Sequence, residues 1–109
     1  VNCQHCHNDK GAASNTGYYL DHFRDVNASY GVCKKPTATG GGSCGRQHVL
    51  VPGSAGSSIV SCRLSAEDDP QKMMPPIARS VAHGEATALM DQWINNVVDS
   101  SYTNASACN

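Results

Sequence analysis

The chain has 109 residues, a length that suits one domain spanning 1–109. Apolar residues make up 39%, but many are alanine or valine and there is one Trp and one Phe, so a core of side chains alone is thin and a cofactor, disulfides or both are expected to fill the centre. A formal net charge of −1, with basic residues placed singly apart from Lys34-Lys35, gives no stripe for nucleic acid, and no apolar run approaches the roughly 18–20 residues of a membrane span.

The chain opens VNCQHCHN, with C-x-x-C-H at Cys3, Cys6 and His7 and no secretory signal pattern ahead of it. A start two residues before the motif reads as a processed or excised form. Residues 8–17, NDKGAASNTG, are turn formers and are expected to run as a loop. Residues 18–24, YYLDHFR, suit two turns of helix with a partly buried apolar face. The stretch 31–47, GVCKKPTATGGGSCGRQ, is a long irregular loop of a kind that is functional or stapled, and HVLVPG at 48–53 is a short extended run ending in a Pro-Gly turn. Serines 54, 57 and 58 offer N-caps for a short helix with Ile59, Val60 and Leu64 on its apolar side. Three prolines exclude a regular helix over 66–79. From about 84, Ala86, Leu89, Met90, Trp93, Ile94, Val97 and Val98 recur at spacings of three and four, which predicts a terminal helix of about four turns. The tail from 99 is polar and expected to be irregular up to Cys108.

Six cysteines are many for this length. Beyond Cys3 and Cys6, the four at 33, 44, 62 and 108 lack metal-like spacing and imply two disulfides, hence an oxidising compartment, periplasmic or extracellular. Three pairings are open. The favoured one joins Cys33 to Cys44, closing the Gly-rich loop, and Cys62 to Cys108, tying down the tail.

C-x-x-C-H is the attachment pattern for haem c. One helical turn places two thiols and an imidazole on the same side, so both vinyl groups and the iron of one porphyrin are within reach. A tetrahedral zinc site needs a second close pair of ligands, and Cys33, Cys44, Cys62 and Cys108 form a poor one. A redox dithiol expects a preceding strand and alternating strands and helices, which the pattern does not offer. The haem reading requires a distal ligand, and KMMPPIARS at 72–80 supplies Met73 and Met74 on a proline-stiffened loop. Met90 fits ordinary core filling better. His5, His22, His48 and His83 read as surface histidines, with bis-His ligation an outside alternative.

The order VNCQHCHN at 1–8, GVCK at 31–34, VPGSAGSSI at 51–59, DPQKMMPPIARS at 69–80 and ALMDQWI at 88–94 resembles a class I c-type cytochrome. It is most similar to the C-terminal haem domain of bacterial two-haem c-type cytochromes. The resemblance implies a mostly α, cytochrome c-like haem domain with long irregular loops and one covalently bound haem c. It implies thioethers at Cys3 and Cys6, His7 as the proximal iron ligand and Met74 as the distal one, with Met73 the fallback. Arg79 would reach a haem propionate or stand as a solvent-facing loop charge. Trp93 would pack toward the cofactor.

The chain departs from that pattern in lacking the usual helix before C-x-x-C-H. The terminal helix is then expected to lack its normal cover. An upstream segment, residues 18–24 or a neighbouring molecule would have to supply it. The functional expectation is an electron carrier, not an enzyme, working with redox partner proteins. The first alternative is a subunit of a self-associating multi-haem wire or filament built through the uncovered terminal helix. The second is a gas- or peroxide-binding haem protein.

Overall fold

The computed structural model describes residues 3–25, 30–37, 43–67, 69–75, 81–98 and 108. Two short helices, α1 (Ile59–Ser65) and α2 (Gly84–Gln92), pack against each other, and α2 continues into a π-helical segment, Trp93–Val98. Single 3-10 turns lie at Ser14–Thr16 and Ala55–Ser57. Among the described residues there is no strand, only isolated parallel bridges between Val32 and Leu50 and between His48 and Ser58. The remainder is irregular.

The run 48–53 passes through the middle of the molecule, and its backbone is paired on both sides. Cys33 N–H donates to the Leu50 carbonyl and Leu50 N–H to the Gly31 carbonyl, at 2.9 and 3.0 Å. On the other side, Ile59 N–H donates to the His48 carbonyl and Val60 N–H to the Val49 carbonyl. This pairing leads straight into α1. The serines ahead of the helix do not cap it with their side chains as expected. Ser58, fully buried, instead accepts from Val51 N–H at 2.8 Å and donates to the Ser54 carbonyl at 2.9 Å, so its hydroxyl is satisfied inside the core. The Arg46 guanidinium holds the start of α1 by donating to the Ser58 carbonyl at 2.6 Å.

The core comprises Val32, Leu50, Ala55 and Ile94, with Cys33, Val60, Met90 and Trp93 packed against it. Ser61 Oγ ties α1 to α2 through the Asp91 carboxylate at 2.6 Å. Gly53 N–H donates to the Ile94 carbonyl and Ala55 N–H to Asn95 Oδ1, which anchors the end of the terminal helix on the 50s turn. The terminal helix is therefore covered from within by the stretches around 32, 50 and 55, a source the sequence reading did not include. Coverage stops short of the N-terminal part of the face. Ile94 is 0% exposed, whereas Leu89 is 68% exposed.

Three further expectations are corrected. Residues 18–24 are not helical. Gly17, at φ 64°, ends the preceding 3-10 turn, and the chain then runs alongside the Cys3–His7 turn, where tertiary hydrogen bonds outweigh local propensity. The disulfides join Cys33 to Cys108 and Cys44 to Cys62 rather than the favoured pairs. The pairing at Leu50 fixes Cys33 beside the core, where Cys108 is also buried, while Arg46 docks the turn carrying Cys44 onto the start of α1, near Cys62. His48 is buried, 8% exposed, because its backbone belongs to the central pairing.

Candidate functional site

The Cys3–His7 segment forms one helical turn. Cys6 N–H and His7 N–H both donate to the Cys3 carbonyl, at 3.3 and 2.9 Å. Asn8 closes the turn: its amide nitrogen donates to the Gln4 carbonyl at 2.8 Å, and its Oδ1 accepts from Lys10 N–H at 2.9 Å. The following loop folds back, and Ala13 N–H donates to the Cys6 carbonyl at 3.0 Å. Gly11 permits that approach, since a Cβ there would stand 2.3 Å from the Cys6 carbonyl oxygen. Cys3 and Cys6 are free thiols, both half-buried, in a chain whose other four cysteines are paired.

His7 is held by the segment that was expected to be helical. Its Nδ1 lies 3.1 Å from the Tyr18 carbonyl oxygen, and its own carbonyl accepts from Leu20 N–H at 2.8 Å. A carbonyl only accepts, so Nδ1 carries the proton and Nε2 is left with its lone pair. Burial lowers the imidazole's pKa below the ordinary value, the bond to Tyr18 opposes that shift, and the Arg63 charge adds to the lowering. The Tyr18 ring meets the imidazole edge-on, with centroids 5.1 Å apart. Burial pushes the Tyr18 phenol up, reinforced by Cys3 and Tyr30.

Met73 and Met74 follow a turn organised by Asp69. Its carboxylate accepts from Gln71 N–H at 2.9 Å, and its carbonyl accepts from Lys72 and Met73 N–H, each at 3.0 Å. Met73 is buried and Met74 half-buried. Met74 N–H donates to the Arg63 carbonyl at 3.1 Å, which binds this loop to α1. Trp93 is partly buried against the core and meets Tyr30 edge-on at 6.1 Å between ring centroids. Arg79 lies outside the described residues. His5, His22 and His83 are exposed as expected, and His83 Nδ1 caps α2 by accepting from Ala86 N–H.

Among the described residues, no three His, Cys, Asp or Glu side chains converge to hold a metal ion. The turn presents two free thiols beside one imidazole whose Nδ1 is bonded to Tyr18. Sequence reasoning missed the supports of this site: Tyr18, Tyr30, Arg63, Gly11 and Gly31. Gly31 opens the GVCK stretch and Gly11 lies in the turn-forming run 8–17, but neither pattern names the side chain or carbonyl it makes room for. The others act through backbone carbonyls or contacts between segments that no local pattern reports. No family model matches the chain, and no curated protein or solved structure matches it.

Proposed function

We propose that this chain is a monohaem c-type cytochrome domain that carries electrons between redox partner proteins. The observation that carries the reading is the His7 turn. Two free thiols stand on one helical turn with an imidazole whose Nδ1 proton is committed to Tyr18, leaving Nε2 available. That donor set fits covalent haem: thioethers at Cys3 and Cys6, and His7 Nε2 toward the iron. A second-sphere hydrogen bond of this kind fixes ring orientation and raises ligand basicity. Met74 would complete the ligand set from its loop tied to Arg63.

When bound, a haem with His and Met ligands supplies one-electron, outer-sphere redox chemistry at a potential raised by the thioether. The polypeptide's part is to exclude water, fix both ligands and keep one haem edge near the surface. The Tyr18 and Tyr30 rings and the packed Trp93 supply apolar cover beside Cys3 and the core. Two disulfides agree with an oxidising compartment, and among the described residues no helix is long and apolar enough to cross a membrane. We assign the chain to the periplasm or the extracellular space on that basis.

The test is the optical spectrum and intact mass of protein made in a host that matures c-type haem. A reduced c-type spectrum and a mass equal to polypeptide plus one haem are expected. A colourless protein with the polypeptide mass alone overturns the proposal.

A further inference from the structure

We propose that Arg63 is the positioning residue of the distal arm, holding the Met74 loop against α1. This rests on the assignment of His7 and Met74 as iron ligands. Three hydrogen bonds from one residue reach the loop. The Arg63 carbonyl accepts from Met74 N–H at 3.1 Å, Arg63 Nε donates to the Lys72 carbonyl at 2.8 Å, and Nη2 donates to the Gln71 carbonyl at 3.2 Å. The guanidinium thus binds two successive carbonyls while the backbone of the same residue binds the amide two positions on. A planar fork with donors at fixed angles suits that task, and an ammonium does not reproduce it.

Arg63 stands on α1, which is fixed independently of the loop. Cys62 beside it is bonded to Cys44, and Ser61 is bonded to Asp91 of α2. The loop therefore takes its position from a rigid support. Preorganisation matters for a weak ligand such as a thioether, because whatever ordering is already in place need not be supplied by the iron–sulfur bond.

The test uses the matured holoprotein and the variants Arg63→Lys, Arg63→Gln and Arg63→Ala. Exogenous imidazole competes with methionine for ferric iron, so its affinity reports how firmly the arm is held. Loss of charge-assisted bonds of this type is expected to raise imidazole affinity by about tenfold or more in Arg63→Ala and Arg63→Gln. The red charge-transfer band of methionine-ligated ferric haem weakens in parallel. Arg63→Lys, which cannot reproduce the planar fork, loosens the arm too. Faster amide exchange at Lys72 and Met74 accompanies the loosening. If Arg63→Ala does not accumulate folded, the Lys and Gln variants carry the test. Wild-type imidazole affinity in variants that fold overturns the role of Arg63 while leaving the haem reading intact. A haem-loaded wild type without the methionine band overturns the ligand assignment, and the role of Arg63 with it.

Discussion

His7 and Tyr18 hold each other in register: the imidazole Nδ1–H donates to the Tyr18 carbonyl at 3.1 Å, and the Tyr18 ring stands edge-on to the imidazole. The orientation of His7 therefore depends on where Tyr18 sits, and Tyr18 is backed by Gly31. A Cβ at Gly31 would lie 2.6 Å from Tyr18 Cε1, on a backbone at φ 102° that other residues rarely adopt. Gly31→Ala is expected to cost about 2 to 4 kcal/mol, combining backbone strain and overpacking. Urea unfolding measures the cost. Nitrogen chemical shifts of the His7 ring in the polypeptide alone report whether Nδ1 has lost its partner. An unchanged midpoint and unchanged shifts would show that Tyr18 does not depend on Gly31.

Alkaline pH tests the same neighbourhood. Burial, with help from Cys3 and Tyr30, raises the Tyr18 pKa above its ordinary value near 10. The fold thus prefers the neutral phenol. The associated stability is fully present below pH of about 10 and is lost as pH rises from there toward the higher folded value. Tyr30 is raised as well, also chiefly by burial, and adds to the slope. Tyr18→Phe cannot ionise, so its unfolding free energy should fall less steeply with pH than that of wild type across this range. Equal slopes would place the Tyr18 hydroxyl in free exchange with solvent.

The disulfide topology is open to direct mapping. Cleavage after Lys and Arg of unreduced protein should link peptide 25–34 to 80–109 and peptide 35–46 to 47–63, given bonds 33–108 and 44–62. The pairing favoured from sequence would instead link 25–34 to 35–46. On the loop-entropy account, removing the 75-residue closure at Cys33–Cys108 costs about 4.5 kcal/mol and removing the 18-residue closure at Cys44–Cys62 about 3 kcal/mol. Paired Cys→Ala variants in denaturant give the order. A larger loss from the shorter loop would mean that Cys44–Cys62 acts mainly by supporting α1.

What the sequence disclosed follows from how local each signal is. Periodicity at 84–98 and the apolar pattern after Ser58 are contained in short windows, and both helices are found there. Cys3, Cys6 and His7 stand out in the sequence as a motif of fixed spacing, and the structure sets them on one turn. The disulfide partners were misjudged because loop closure by the nearest cysteine is a local argument. The actual pairing is set by how residues 33 and 46 dock onto 50 and 58. Residues 18–24 were misread for the same reason: an apolar face predicts burial, but the backbone is drawn into hydrogen bonds with His7. Arg63 was invisible because its loop contacts go to main-chain carbonyls, which accept from any donor placed near them.

The terminal helix face separates fold stability from association. Ile94 is fully buried against Val32, Leu50 and Ala55, so Ile94→Ala is expected to cost about 3 kcal/mol. Leu89, exposed on the preceding turn, should accept Leu89→Glu within about 0.5 kcal/mol. Sedimentation of concentrated protein then decides the filament alternative. Assemblies in wild type that disappear in Leu89→Glu would support it, and monomers in both would remove it.

Met73 and Met74 are neighbours in sequence with different surroundings, and under the haem proposal this makes the choice of ligand testable by mutation. Met73 is 9% exposed, in the buried class with the core residues, while Met74 is half-buried and has its amide fixed by Arg63. A side chain filling the core and one reaching a metal respond differently to truncation. Met73→Ala should cost about 2 kcal/mol or more in unfolding free energy and leave the methionine charge-transfer band in place. Met74→Ala should abolish the band and open the iron to imidazole or cyanide, with a smaller cost to the polypeptide. The reverse pattern would make Met73 the ligand. The hydrogen bond from Met74 N–H to Arg63 would then serve to aim the preceding residue's sulfur, because fixing one amide of a tight turn fixes its neighbour as well.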